Sequence, residues 1–256
     1  MLKLLKGSFI RLFGSSEFQL MPFFLIIMDL TMTFMHRAGI SEDEALPGLP
    51  LCNAFFHVVV IGICTAVFVS LFIGAEYSNA TIFNKIIFGH SRTAVYLTYL
   101  LTCLFGTAMF HLTATGVTTL IGWIALGKPT FTFGVFISGY LLSLPALFAS
   151  TALHLAITII VQNRAVAVGV SATLSTIMLF FSMYFCDGMH YENKYLDFLP
   201  DFYLNKLAMS DTLISSGIIE KLNFPVYPCI LFSLFTVIGL IVFNNINIRN
   251  TPEGEI

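Results

Sequence analysis

Between Arg92 and Lys128, and again between Lys128 and Arg164, the chain contains no Asp, Glu, Lys or Arg. Uncharged runs of that length cannot form the water-facing surface of a soluble domain. Each exceeds the roughly 20 apolar helical residues that cross a hydrocarbon core about 30 Å thick. The same yardstick fits four further stretches, so six spans are predicted. The first runs from about Phe18 to Met35, the second from Cys52 to Ile73, the third from Ala94, the fourth to about Val161, the fifth from Ala165 to Cys186 and the sixth from Val226 to Phe243. The third and fourth are expected to be long and tilted, meeting at the Gly127, Lys128, Pro129 turn. Composition agrees: 57% of the 256 residues are hydrophobic and 10% charged, against about a quarter charged in ordinary soluble domains. The runs are continuously apolar, without the alternation of lumen-facing strands, so they read as helices and not as a barrel. No composition shift or linker divides the chain. The expected fold class is an all-α polytopic membrane protein, one transmembrane domain over residues 1–256.

Ahead of the first span, Lys3, Lys6 and Arg11 are spread through Leu2, Leu5, Phe9 and Leu12, a layout unlike a cleaved signal peptide. Apolar spacings of three and four predict a helix lying at the interface with its basic groups toward lipid headgroups. A frayed start to the first span is the plainer alternative. With six spans and an inner N-terminus, the inner side carries Lys3, Lys6, Arg11, Lys85, Arg92, Arg164 and Arg249, and the outer side Arg37, Lys128, Lys194, Lys206 and Lys221. That bias favours a multi-pass protein of a cell membrane, a bacterial plasma membrane being expected, with both termini cytoplasmic. The five cysteines, at positions 52, 64, 103, 186 and 229, have no metal-like spacing. They read as small apolar fillers, with one disulfide conceivable among Cys52, Cys186 and Cys229 near the outer helix ends.

Two segments outside the spans carry pattern of their own. On the inner side, between Gly74 and Arg92, Ser78 or Asn79 can cap a short helix, Ile82, Phe83, Ile86 and Ile87 form one apolar face, and Gly89 can end it. Thr81, Asn84 and Lys85 fall on its other faces. Too short to cross the bilayer, such a helix either lies on the membrane or fills a groove in a partner. On the outer side, between Asp187 and Pro225, apolar spacing at Leu204, Leu207 and Ala208 and at Ile214, Ile218 and Leu222 predicts short helices before the last span. They either cap an exit path or form a passive lid.

The inner segment reads Gly74, Glu76, Tyr77, Ala80, Thr81, Ile82, Lys85, Gly89, Ser91, Arg92. This resembles the ABC type-2 permease family of exporters, in which a Glu ending the second span precedes a small residue plus Thr, a short helix, and Ser-Arg at the start of the third. The six-span plan, the N-terminal helix and the elaborated outer segment resemble it too. Ala80 stands where the family often has Gly, and the Pro that often precedes Ser91 is missing. The compact form is similar to permeases of bacterial peptide exporters and of systems giving immunity against antimicrobial peptides. The resemblance implies a dimer of this permease with a second copy or a related permease, and cytosolic ATPase subunits that bind ATP and Mg in separate chains, so that this chain is no enzyme. It also implies lipid and a peptide or hydrophobic cargo as partners, and no nucleic acid. The ATPase-coupling residues it implies are Glu76, Tyr77, Thr81, Ile82, Phe83, Lys85, Ile86 and Arg92.

One near-motif is not read as an ATP site in this chain. Gly122, Gly127 and Lys128 match the start of a phosphate-binding loop, but Pro129 replaces the required Ser or Thr and the surroundings are an apolar helix end. Ionisable groups inside spans are costly and often functional, which singles out Asp29, His57, His111 and His154. Asp29 either faces a dimer interior and meets a cationic substrate, or pairs with a neighbouring helix. The histidines either bond across helices as neutral imidazoles or serve a path through the membrane. Asp29, His57, His111 and Phe110 are the candidate residues for a substrate path. A proton-coupled secondary transporter using Asp29 and a histidine is the alternative, although no inverted repeat or matching pair of broken helices is visible. An intramembrane hydrolase is disfavoured, because the chain lacks HExxH and GxSxG motifs.

Overall fold

The computed structural model describes residues 2–39, 49, 54–187, 204 and 226–246, and no strand occurs among them. Eight α-helices follow one another in this part: α1 (Leu2–Gly14), α2 (Ser16–Ala38), α3 (Ile61–Ser78), α4 (Thr81–Ile87), α5 (Arg92–Leu126), α6 (Phe133–Val161), α7 (Arg164–Asp187) and α8 (Val226–Asn245). Six of these, all but α1 and α4, are long and apolar enough to cross a membrane. The protein is an all-α polytopic membrane protein. Of the short helices expected before the last span only Leu204, helical and buried, falls among the described residues, and Cys52 lies outside them; of the other cysteines, Cys64, Cys103 and Cys229 are free thiols.

Helix starts follow local chemistry. Ser15, Ser91 and Thr132 each accept a hydrogen bond from the backbone N–H three residues on, at Phe18, Ala94 and Val135, satisfying one of the donors that a helix start leaves open. The threonines of α5 are tolerated in an apolar span because their hydroxyls bond back to the preceding turn, as Thr98 does to Ala94 and Thr102 to Thr98, both at 2.7 Å. Most predicted boundaries hold within a few residues. The second span is the exception: it was expected from Cys52, but α3 begins at Ile61 behind a 3-10 turn over Phe56–Val59. Asp29 supplies the reason, since its carboxylate takes the backbone N–H of His57 at 2.5 Å and holds the chain in that turn.

The segment between α3 and α4 also differs from expectation. Neither Ser78 nor Asn79 caps α4. Ser78 donates back to the Gly74 carbonyl, Asn79 ends α3, and the residue before α4 is Ala80 in the left-handed region at φ 51°. Gly89 does end α4, at φ 86°, with its N–H on Ile86 and that of His90 on Lys85, the paired bonds of a glycine-terminated helix.

The centre of the bundle is α3, of which 72% of the apolar window is buried, against 17% in α2 and 22% in α8. Helices α6 and α7 pack along α3, α8 packs along α6, and α2 packs along α5. Gly74 permits the α3–α7 approach: a Cβ there would lie 2.9 Å from the Cα of Arg164. The core includes Phe68, Phe72, Phe110, Tyr96 and Tyr99, all fully or almost fully buried. Apolar side chains of α2 such as Phe23, Phe24 and Ile27 point outward instead, as expected of a surface bathed in lipid or covered by another chain.

Candidate functional sites: two buried polar centres

The first centre forms where α3 ends and α5 begins. Glu76, in the last turn of α3, is fully buried. One of its oxygens pairs with the guanidinium of Arg11 from α1. The other accepts from Lys85 Nζ of α4 at 3.0 Å and from Tyr99 Oη of α5 at 2.8 Å. Lys85 Nζ also donates to Tyr99 Oη at 2.9 Å and lies 4.6 Å from the centre of that ring, while Arg11 sits 5.4 Å from the centre of the Phe72 ring. A single carboxylate thus fastens four helices. Burial pulls the Lys85 ammonium below the usual lysine range, the Glu76 carboxylate opposes that shift, and Arg11 adds to it.

Several expectations for the coupling segment need correction here. Lys85 does not lie on an open face of α4 but turns inward, because the buried Glu76 would otherwise have too few partners. Ile82 is buried in the core of this same chain and Ile86 packs against it, so they form no free face. Phe83 is half-buried, as is Thr81. The exposed apolar groups are Ile87, at 62%, and Phe88, at 81%. Tyr77 is buried at the end of α3. Arg92 does not join Glu76: its Nη1 donates to the carbonyls of Phe243, Asn244 and Ile246, at 3.2, 3.3 and 2.7 Å, and closes the open end of α8.

The second centre lies inside the bundle. Asp29 of α2, His57 of the 3-10 turn, His111 of α5 and Ser143 of α6 are all fully buried. Asp29 Oδ2 is 2.7 Å from His57 Nδ1, His57 Nε2 is 2.8 Å from His111 Nδ1, and His111 Nε2 is 2.7 Å from Ser143 Oγ. Thr118 Oγ1 donates to Asp29 Oδ2 at 2.9 Å, and Tyr140 stacks on His111 with ring centres 4.8 Å apart. Sequence reading singled out Asp29, His57 and His111, and the structure joins them in one chain. Ser143 and Thr118 were missed, although Thr118 stands two turns from His111 on α5, a spacing that places both on one face. Of the remaining candidates, Phe110 is a core residue packed between Phe18 and Phe68, and His154 bonds to Ser175 Oγ across α6 and α7 at 2.9 Å. Among the described residues no group of three His, Cys, Asp or Glu is arranged to hold a metal ion.

Donor counting fixes the direction of this chain. Ser143 Oγ is also 2.7 Å from the Tyr140 carbonyl, which can only accept. With its single hydrogen given to that carbonyl, Ser143 must accept from His111 Nε2; His111 Nδ1 then accepts from His57 Nε2. His57 Nδ1 and Asp29 therefore have one further proton between them, held as an imidazolium–carboxylate pair or as an imidazole and a carboxylic acid. Either way the buried assembly is neutral, which avoids the cost of an unpaired charge in an apolar interior.

The architecture and these centres define a polytopic helical membrane protein with a buried ion-paired cluster at one end of its bundle and a hydrogen-bonded Asp–His–His–Ser chain within it. No protein-family model matches the sequence, and no curated protein or solved structure matches it.

Proposed function

We propose that the chain is the membrane-spanning permease subunit of an ATP-driven ABC exporter, with ATP and Mg bound by a separate cytosolic ATPase. The observation that carries this reading is α4: a seven-residue helix between two spans, tied to the buried Glu76 through Lys85 in its last turn and running out into the exposed Ile87 and Phe88. A lever needs a stiff attachment to the spans and a free apolar tip for a partner's groove, and α4 has both. The residues that build it are those that resemble the coupling segment of type-2 permeases. Lys3, Arg11 and Lys85 gather around the end of α3, Arg164 packs on Gly74 of that same helix, and Arg92 opens the span that follows α4, a clustering of basic residues that supports a cell-membrane protein with both termini cytoplasmic. The outward apolar side chains of α2 suit lipid or a second permease copy, and the apolar, aromatic spans suit an amphipathic peptide or another hydrophobic compound as cargo.

The test is co-purification with the companion ATPase, followed by transport into inside-out vesicles. The expected result is saturable, ATP-dependent uptake of an amphipathic peptide, with Phe88→Asp abolishing stable association because it sets an unpaired charge into an apolar contact. Normal assembly and transport by Phe88→Asp counts against the lever. Failure of any ATPase to associate counts against the whole reading.

A second reading is a proton-coupled secondary transporter. The specific observation in its favour is the chain from Asp29 to Ser143, which holds a shared proton across four elements. Uptake that survives ATP depletion and collapses with the proton gradient selects it.

A further inference from the structure

A cavity of about 260 Å³ lies between α1 and the α3–α4 hinge, and it is open on one side. Lys3, Ser8, Arg11, Glu76, Thr81 and Lys85 line it, with Leu4 and Gly7. Three of these side chains are cationic and one is anionic, so the residues around the cavity carry a net positive charge even with Glu76 paired to Arg11 and Lys85, while their carbon atoms form most of its exposed wall. Two hydroxyls accompany them. Ser8 is only 3% exposed, yet its Oγ has no hydrogen-bond partner. A buried hydroxyl normally finds a partner, and in a helix it can turn back to the carbonyl one turn earlier, as the threonines of α5 do. Ser8 does not.

We propose that this cavity is a binding site for an anionic phosphate group, carried by a membrane lipid or free in solution. The groups present are donors, namely two ammonium groups, one guanidinium and two hydroxyls, and the one acceptor, Glu76, is already engaged by three of its neighbours. A phosphate brings the converse set, several acceptor oxygens around one centre, and Arg and Lys recognise it through charge-assisted bonds. Its oxygens supply the missing partner for Ser8. The site lies where the spans end and the first helix begins, the depth at which basic pockets between helices meet headgroups. A bound phosphate there touches α1, α3 and α4 together, and so loads the hinge that sets the angle of the short helix.

The test uses the purified full chain in detergent micelles, with short-chain phosphatidylglycerol, short-chain phosphatidylcholine and inorganic phosphate as probes, and retained ligand counted by native mass spectrometry. It needs no ATPase, so its outcome is separate from that of the transport reading. Wild type is expected to retain phosphatidylglycerol in preference to phosphatidylcholine. Lys3→Gln should weaken retention about fivefold, the worth of one basic residue near an anionic headgroup. Ser8→Ala should weaken it about tenfold through loss of one bond to a charged group. Gly7→Leu should abolish it by filling the cavity, since a Cβ at Gly7 meets nothing within 4 Å and the helix itself tolerates the change. Lys6→Gln removes the same charge as Lys3→Gln from α1 but outside the cavity, and should change little. Displacement of the lipid by inorganic phosphate assigns the site to the phosphate group itself, and retention against it assigns the site to the lipid headgroup. Equal losses in Lys3→Gln and Lys6→Gln, or equal retention of the two lipids by wild type, overturn the proposal; unchanged thermal unfolding of each variant keeps the comparison on binding.

Discussion

Glu76 shows how a residue flagged by its cost can be read correctly in importance and incorrectly in its surroundings. A carboxylate at the end of a span invites attention in any membrane sequence, but its partners come from positions 11, 85 and 99, which no local spacing connects. Lys85 was expected, with Thr81 and Asn84, on the faces of the short helix away from its apolar one; the attraction of a buried carboxylate outweighs the hydration of one ammonium. Ala80 was visible as the residue standing in place of a Gly, and its φ of 51° gives the physical meaning of that position, a left-handed turn that glycine adopts without strain. The titration of Lys85 follows from the same cluster. Its ammonium loses its proton at lower pH in the folded protein than in the unfolded chain, burial being the main cause. Between that lowered value and the ordinary lysine range the unfolded chain binds more protons, so this group makes stability rise with pH through that window. Glu76→Gln should lower the Lys85 value further, by removing the charge that opposes the shift, while Arg11→Gln should raise it. Side-chain carbon NMR of labelled lysine, with exposed Lys6 as the internal reference, reads both shifts; movement in the same direction in the two variants contradicts the assigned causes.

At the scale of elements, hydropathy located the spans because a helix in lipid must satisfy its backbone internally and display apolar side chains all round. It placed the start of the second span too early for the converse reason: Cys52 to Val60 is apolar enough to be helical, and only the distant Asp29 makes the 3-10 turn the better use of the His57 N–H. The face of α4 was misassigned on similar grounds. Periodicity finds an apolar stripe without saying whether the chain's own core or a partner covers it, and here the core takes Ile82 and Ile86 and leaves the tip. Arg92 was placed with the short helix by sequence proximity, but it serves α8, 151 residues away, by accepting the task of capping carbonyls that the helix end leaves open. Arg92→Ala should therefore loosen the end of α8 before it disturbs α4. Hydrogen exchange is expected to rise at the α8 C-terminus, over Phe243 to Ile246, with a cost of about 1–3 kcal/mol for the charge-assisted bonds lost. Faster exchange confined to Thr81 to Ile87 would place the residue back in the coupling segment.

For the molecule as a whole, the chain from Asp29 to Ser143 is where the two functional readings part, because it ties an outer helix, a turn and two long spans through atoms that can carry a proton. Sequence gave its charged members by their rarity in lipid-facing runs, but not their order, which is a property of how α2, α5 and α6 pack. Asp29→Asn separates the structural from the proton-handling role. The amide oxygen can accept the His57 N–H, and the amide nitrogen can donate to His57 Nδ1 and to Thr118. His57 then needs no extra proton, because its Nε2–H still points to His111 and the remaining bonds to Ser143 and the Tyr140 carbonyl stay as they are. The Thr118 hydroxyl, now an acceptor, can turn its own hydrogen back to a carbonyl of the preceding turn, so this variant should unfold within about 1 kcal/mol of wild type. Asp29→Ala removes the partner of a backbone N–H, an imidazole nitrogen and a hydroxyl in the dry interior, and at about 1–3 kcal/mol for each buried group left unpaired it should be far less stable. Thermal unfolding in micelles compares the two, and equal losses in both variants would show that the carboxylate charge itself, and not its acceptor geometry, holds the assembly. With the fold preserved, transport by Asp29→Asn then decides the function. ATP-driven export that continues at the wild-type rate leaves the chain a structural fastening, as the permease reading expects, whereas transport that stops in a folded, ATPase-bound variant makes the shared proton part of the cycle.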